Sequence, residues 1–358
     1  MNHFLLACLT VVAAGHLPAQ DAANVGMVRR TFLDAARTTW SGDAPRPIVT
    51  SVWYPAPVGA QLVQFLPADV PFDVPKVALG APLSNAVTKY PLIVLSHGTG
   101  GAALQMMWLG HYLAANGYIV AAVSHHGNSG DGGAYQPQGF LLWWERARDL
   151  TVAIDRLLDD STFGAHIDAD RIGAAGFSLG GYSVTALAGG RTSLEEFDNF
   201  CRSAERDFTC GPQPEFPQAP AQFARMKESD PIVRASLARA SDSYRDHRIK
   251  AVYAIAPALG SAFTSAGLAG IRIPFHITVG AADSVTPPAT NARRLAALIP
   301  GARLTVLGGN VGHHVFLAEC KPQGVKTVEI CRDAPGVDRA AIHRAVSQSV
   351  DAFYRSVW

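Results

Sequence analysis

The stretch Arg171-Ile172-Gly173-Ala174-Ala175-Gly176-Phe177-Ser178-Leu179-Gly180-Gly181 reads as a buried strand that runs straight into a helix. After Arg171 its first half is short, apolar and uncharged, as a strand covered on both faces requires. Its second half fits Gly-x-Ser-x-Gly, the pattern of a strained strand-to-helix turn that lifts a serine hydroxyl out of the sheet. Small residues on either side of the serine relieve the crowding of such a turn. Gly181 adds one more where the helix must approach the sheet. Ser178 is therefore the candidate nucleophile.

The surrounding sequence supplies the sheet that such a turn needs. From residue 90 onward, short apolar runs alternate with amphipathic stretches, the pattern of a mostly parallel sheet with helices on both faces. The strand candidates are Leu92–Ser96, Ile119–Val123, Ile172–Gly176, Ala251–Ile255, Phe275–Val279 and Leu304–Leu307. Helices are expected at 103–115, ending at Asn116-Gly117, and at 145–159, with Leu150, Ile154, Leu157 and Leu158 on one face. A last helix at 338–356 places Ile342, Val346, Val350 and Phe353 together. Upstream, Val28–Leu33 and Ile48–Tyr54 read as antiparallel strands, and the proline-rich 55–88 as an irregular surface loop. Residues 191–248 break the alternation with Pro212, Pro214, Pro217, Pro220 and two cysteines. They read as an insertion after the nucleophile helix, a possible cap, within a single domain spanning 21–358.

A serine hydroxyl is a poor nucleophile until a base takes its proton, so an orienting carboxylate and a histidine should follow it. Asp283, just past Gly280, and His313, in Gly308-Gly309-Asn310-Val311-Gly312-His313, both fall after strand candidates, where loops converge in an open α/β sheet. Asp283 has the rival role of a helix N-cap, with Pro287-Pro288 expected to begin the next helix. His314 rivals His313 as base, and adjacent loop residues point in different directions. A tetrahedral intermediate also needs backbone N–H donors for its oxyanion. The candidates are Leu179, next to the nucleophile, and Thr99 in Ser96-His97-Gly98-Thr99-Gly100-Gly101. His97 reads as a brace for that turn. Met106-Met107-Trp108 and Phe140 to Trp144 read as core packing, with a pocket-lining role as the alternative.

The chain has 358 residues, 48% of them hydrophobic and 16% charged, enough for one large core. A net charge of +1 without any lysine- or arginine-rich block excludes a nucleic-acid partner. No cofactor or metal is expected, since neither His125-His126 nor the cysteines have ligand spacing. Residues 1–20 read as a signal peptide, with an apolar Phe4–Ala14 and a cleavage site near Leu17-Pro18-Ala19; lipidation at Cys8 is the less favoured reading. Four cysteines remain, Cys201, Cys210, Cys320 and Cys331; their even number in an exported chain suggests disulfides, three pairings are open, and closeness in sequence favours 201–210 and 320–331. A secreted or periplasmic location follows, and no later stretch reads as transmembrane.

Several features, in order along the chain, resemble the secreted α/β-hydrolases grouped with dienelactone hydrolase-like proteins and platelet-activating-factor acetylhydrolases. They are Val52-Trp53-Tyr54-Pro55, Ser96-His97-Gly98, Gly176-Phe177-Ser178-Leu179-Gly180-Gly181, Ala256-Pro257, and Gly312-His313 with Phe316-Leu317. The resemblance implies the α/β-hydrolase fold and carboxylic-ester hydrolysis without a cofactor, with Ser178, Asp283 and His313 on the triad positions. Dienelactone hydrolases proper carry cysteine at the nucleophile, and the phospholipid-active branch carries Gly-His-Ser-Phe-Gly where this chain has Phe177 and Leu179. A small-molecule or lipid ester is the expected substrate. The alternatives are a lipid-active esterase, an amidase on the same fold and, last, a non-catalytic binding protein.

Overall fold

The computed structural model describes residues 24–131 and 133–358. The expected signal peptide and Cys8 lie outside them. Nine strands form one sheet: β1 (Asn24–Thr38), β2 (Pro45–Ala56), β3 (Ala78–Leu79), β4 (Tyr90–Ser96), β5 (Ile119–Ser124), β6 (Ile167–Phe177), β7 (Ile249–Ile255), β8 (Phe275–Gly280) and β9 (Arg303–Leu307). Their order is β3-β1-β2-β5-β4-β6-β7-β8-β9. The segment from β5 to β9 is parallel throughout, whereas β2 pairs antiparallel with both β1 and β5. The apolar runs of β4 and β5 are fully buried, which explains their lack of polar alternation. Two early expectations need correction. β1 and β2 extend beyond the expected Val28–Leu33 and Ile48–Tyr54, because their backbone pairing continues into pairs such as Asn24↔Ala56 and Asp34↔Arg46. The 55–88 loop also contributes a strand, since Ala78 and Leu79 pair with the otherwise open edge of β1.

Glycines set the approach of the helices α1 (Met107–Ala115), α2 (Pro137–Leu141), α3 (Glu145–Leu158) and α4 (Leu179–Leu187) to the sheet. A Cβ at Gly110 in α1 would fall 2.5 Å from the Trp53 ring, and one at Gly180 in α4 only 1.9 Å from the Ser96 carbonyl oxygen. Residues 191–248 hold α5 (Leu194–Arg202), α6 (Ala219–Ser229) and α7 (Pro231–Leu237). They build a small core of their own in which Phe223 and Val233 meet Trp40, Leu142 and Trp144. α8 (Ser265–Ala269), α9 (Ala292–Leu298), α10 (Pro322–Thr327) and α11 (Arg339–Val357) complete the chain. Side chains alternate across a strand, so Gly173 and Gly176 of β6 face opposite sides of the sheet. A Cβ at Gly173 would meet Tyr354 of α11, and one at Gly176 would meet the backbone of α4. The two helices therefore cover opposite faces. Among the described residues, no helix is long and apolar enough to cross a membrane.

The sulfur atoms of Cys201 and Cys210 lie 2.07 Å apart, and those of Cys320 and Cys331 lie 2.01 Å apart. The first pair ties the end of α5 to the segment before α6. The second spans α10, downstream of His313.

Candidate active site

Ser178 sits between β6 and α4 with φ 56° and ψ −119°, a strained conformation for a residue with a Cβ. Its backbone is clamped from both sides: Ser178 N–H donates to the Ile255 carbonyl at 2.9 Å, and its own carbonyl accepts from Ala258 N–H at 2.9 Å. Such over-determination lets the strain persist. The glycines around it are needed for close approach, because a Cβ at Gly98 would come 3.2 Å from the Ser178 Cβ.

Three residues far apart in sequence meet here. His313 Nε2 lies 2.9 Å from Ser178 Oγ, and His313 Nδ1 lies 2.7 Å from Asp283 Oδ2. All three side chains are buried. The Asp283 Oδ1 atom accepts from the N–H groups of Val285 and Thr286, at 3.0 and 2.8 Å. Oδ2 thus faces His313 while Oδ1 closes a local turn, and Asp283 is not the expected helix N-cap, since Asn291 precedes the next helix. The turn it closes keeps Pro287-Pro288 out of the next helix, which begins only at Ala292; this corrects the expected helix start. His314 does not reach the serine. Burial, with His313 beside it, pulls its pKa down to about 4, so this imidazole is neutral near pH 7.

Thr99 and Leu179 line one cavity together with Ser178. Leu179 opens α4, where an N–H has no acceptor within the helix. In the facing loop, Gly100 N–H donates to Asn128 Oδ1 at 3.2 Å and Gly101 N–H to the Gly98 carbonyl at 3.2 Å. Among the described residues no acceptor takes the Thr99 N–H. The cavity measures about 300 Å³, and Phe140, Trp143, Phe197, Phe216 and Phe223 wall it. The Phe140–Trp144 segment, expected as core, is therefore partly pocket wall. Leu142 and Trp144 of the same segment pack with Phe223 and Val233. Met106, Met107 and Trp108 stay in the core, with Trp108 Nε1–H donating to the Phe316 carbonyl at 3.0 Å.

Several polar groups beneath the loop were not legible in the sequence. Thr286 Oγ1 lies 3.0 Å from Asp283 Oδ2 and 3.2 Å from His313 Nδ1. Arg146 of α3 is wholly buried and donates to Ser183 Oγ (3.0 Å), Asn128 Oδ1 (2.8 Å), Ser96 Oγ (3.3 Å) and the His97 carbonyl. Burial lowers its pKa to about 9, with Asp149 opposing that fall. His125 Nδ1 contacts Asp149 Oδ2 at 2.9 Å and its Nε2 contacts Ser96 Oγ at 2.8 Å, so neutral His125 bridges the two. His97 Nε2 accepts the His125 backbone N–H at 3.1 Å, which makes its Nδ1–H the donor to the Gly98 carbonyl at 2.6 Å. His97 thus braces the Gly98–Gly101 turn. Glu145, Arg146 and Asp149 carried a signal only as charges in an amphipathic helix, where charges ordinarily mean solvation.

Comparison with known proteins agrees with this architecture. The family model described as platelet-activating factor acetylhydrolase, isoform II, matches residues 60–138, and that of the prolyl oligopeptidase family matches residues 104–195. Dipeptidyl-peptidase 5 of Porphyromonas gingivalis is 34% identical over 28% of this chain and 15% of its own length. Cutinase est1 of Thermobifida alba is 32% identical over 30% of this chain and 33% of its own length. The chain therefore matches a third or less of these relatives. Among solved structures, a ferulic acid esterase from Streptomyces cinnamoneus superposes with a TM-score of 0.60 at 19% identity, covering 95% of this chain and 92% of that one. A puromycin-hydrolyzing peptidase of Mycobacterium tuberculosis superposes with a TM-score of 0.50 at 14% identity, covering 92% and 39%. Its sheet order, its strand-to-helix turn at Ser178 and the superposition on these structures together give the chain the α/β-hydrolase fold.

Proposed function

We infer that this protein is a serine carboxylic-ester hydrolase. The observation that carries the reading is the continuous chain from Ser178 Oγ through His313 to Asp283, at 2.9 and 2.7 Å, opening on an apolar cavity. In the proposed reaction, Ser178 Oγ attacks the ester carbonyl carbon while His313 Nε2 takes its proton. Asp283 holds the imidazole with Nδ1–H inward and stabilises the imidazolium that forms. The N–H groups of Leu179 and Thr99 bind the oxyanion. The intermediate collapses as His313 protonates the departing alcohol oxygen, which leaves an acyl-Ser178 ester. Water, deprotonated by the same imidazole, then releases the acid and restores the serine.

A substrate with an apolar group suits the aromatic wall. Export to the periplasm or medium is part of this reading, supported by the two cysteine pairs at bonding distance. The test is turnover of p-nitrophenyl esters from acetate to laurate, beside a p-nitroanilide and a phospholipid. Ester turnover should exceed that of the anilide, and Ser178→Ala should lower it by about 10⁴-fold or more and abolish labelling by an organophosphonate. Anilide cleavage faster than ester cleavage would move the reading to an amidase. Labelling that survives in Ser178→Ala would remove the nucleophile.

A further inference from the structure

We propose that Glu215, with the rings of Tyr135 and Phe216, forms a cation-selecting rim on the cavity, so that the preferred ester carries an ammonium group. This rests on the esterase reading of the same site. Glu215 belongs to the insertion, between the Cys201–Cys210 pair and α6. Its side chain lies directly on the oxyanion loop: a Cβ added to Gly100 would come within 2.7 Å of both Cβ and Cγ of Glu215. Gly100 also has φ +60°, so glycine is required there for its backbone as well as for this contact. Tyr135 reaches the same point, its hydroxyl donating to the Gly100 carbonyl at 2.5 Å.

The neighbouring rings form a continuous wall. Tyr135 and Phe216 have centroids 6.3 Å apart, and Phe140 meets both edge-on at 5.1 and 5.4 Å. Phe140, Phe216 and Thr99 line the cavity that reaches Ser178, and Glu215, next to Phe216 in the chain, packs on Gly100, next to Thr99. The carboxylate has no structural task. Among the described residues no lysine or arginine pairs with it, and His313 stands near enough for an imidazolium formed there to attract it. The protein around it pushes its pKa up, as expected for a carboxylate held near apolar rings without a counter-ion. A cation from outside would relieve that cost, and aromatic faces attract ammonium groups in the same place. The same charge repels an anionic substituent, so it selects against carboxylated or phosphorylated alcohols.

The experiment compares three butyrate esters at low ionic strength, those of choline, of its neutral isostere 3,3-dimethylbutanol, and of glycolate. The full-length protein should favour the choline ester over the neutral one by about tenfold in kcat/KM, mainly through KM, and turn over the glycolate ester least. Glu215→Gln keeps the shape and should bring the cation-to-neutral ratio to about one, and Glu215→Lys should reverse the order of choline and glycolate esters. Salt at 0.5 M should compress the wild-type ratio. A wild-type ratio near one would overturn the proposal. So would equal losses on all three esters in Glu215→Gln, because that pattern means the carboxylate acts only through His313. Absence of turnover on all three esters would instead remove the esterase reading, and this proposal with it.

Discussion

Replacing Thr286 by valine tests whether the acid of the site is held by a side-chain donor that the sequence did not reveal. Asp283 has four donors: Val285 N–H, Thr286 N–H, the Thr286 hydroxyl at 3.0 Å and His313 Nδ1 at 2.7 Å. Valine keeps the shape, so no cavity forms and only the hydroxyl is lost. A hydrogen bond to a charged group contributes about 1.5–3 kcal/mol. Three donors remain to share the carboxylate's charge, so the expected loss of stability is at the lower end, about 1–2 kcal/mol. For a chain of this size that lowers Tm by about 2–6 °C. The lost donor also leaves Asp283 with more of its charge facing His313, which stabilises the imidazolium. The acid limb of the kcat/KM profile should therefore move to higher pH, by up to about one unit. With the imidazole less firmly oriented, kcat at its plateau should fall by about three- to tenfold. The assays are thermal unfolding and a pH–rate profile on a soluble p-nitrophenyl ester, with Thr286→Ser as the control that restores both. An unchanged acid limb with a lowered Tm would refute the argument and leave Thr286 a packing residue.

His313→Ala should cost nearly as much rate as loss of Ser178, because such residues act as a unit, whereas His314→Ala should cost about tenfold or less; the reverse order would reassign the base. The buried histidines make stability depend on pH. His125 has its pKa drawn down to about 4 by burial and the nearby Arg146, and His97 is lowered in the same direction. Both are neutral when folded and ordinary when unfolded, so their contribution is fully present above about pH 6.5 and is lost as pH falls towards 4. For His125 the full loss is about 3 kcal/mol, and urea unfolding at pH 7.5 and 5.0 should show stability falling, with a shallower fall in His125→Gln. Opening the Cys320–Cys331 pair by double substitution to serine should lower Tm, the closed loop contributing about 3 kcal/mol in the chain-entropy model. If the pair also steadies the His313 loop, kcat measured well below the melt falls with it; kcat left intact would confine the bond to stability.

Much of the architecture is written in local pattern. The apolar runs of β4 and β5, the turn at Gly176–Gly181 and the helix over Arg339–Val357 are each legible because burial of one face imposes a period on neighbouring residues. The order serine, aspartate, histidine was legible too, because each falls where a buried run ends. Chemistry between distant residues leaves no such period. That His313 faces the serine and His314 does not depends on how one loop lies against the end of β8, where the Val311 carbonyl accepts from Ala282 N–H. Thr286 gives no sign of its hydroxyl contact with Asp283, since threonine near a pair of prolines reads as an ordinary turn. Arg146 and Asp149 share the apolar face of α3 with Leu150, Ala153 and Ile154, so their burial follows the helical period while the partners they meet there do not. Phe140 and Trp143 become pocket wall only because residues 191–248 fold over them. The sequence by itself determined which segments are buried and where the chain turns, because those follow from the hydrophobic period of each segment. Tertiary structure alone decided which polar atoms meet, because a hydrogen bond depends on separations in space that no spacing along the chain encodes.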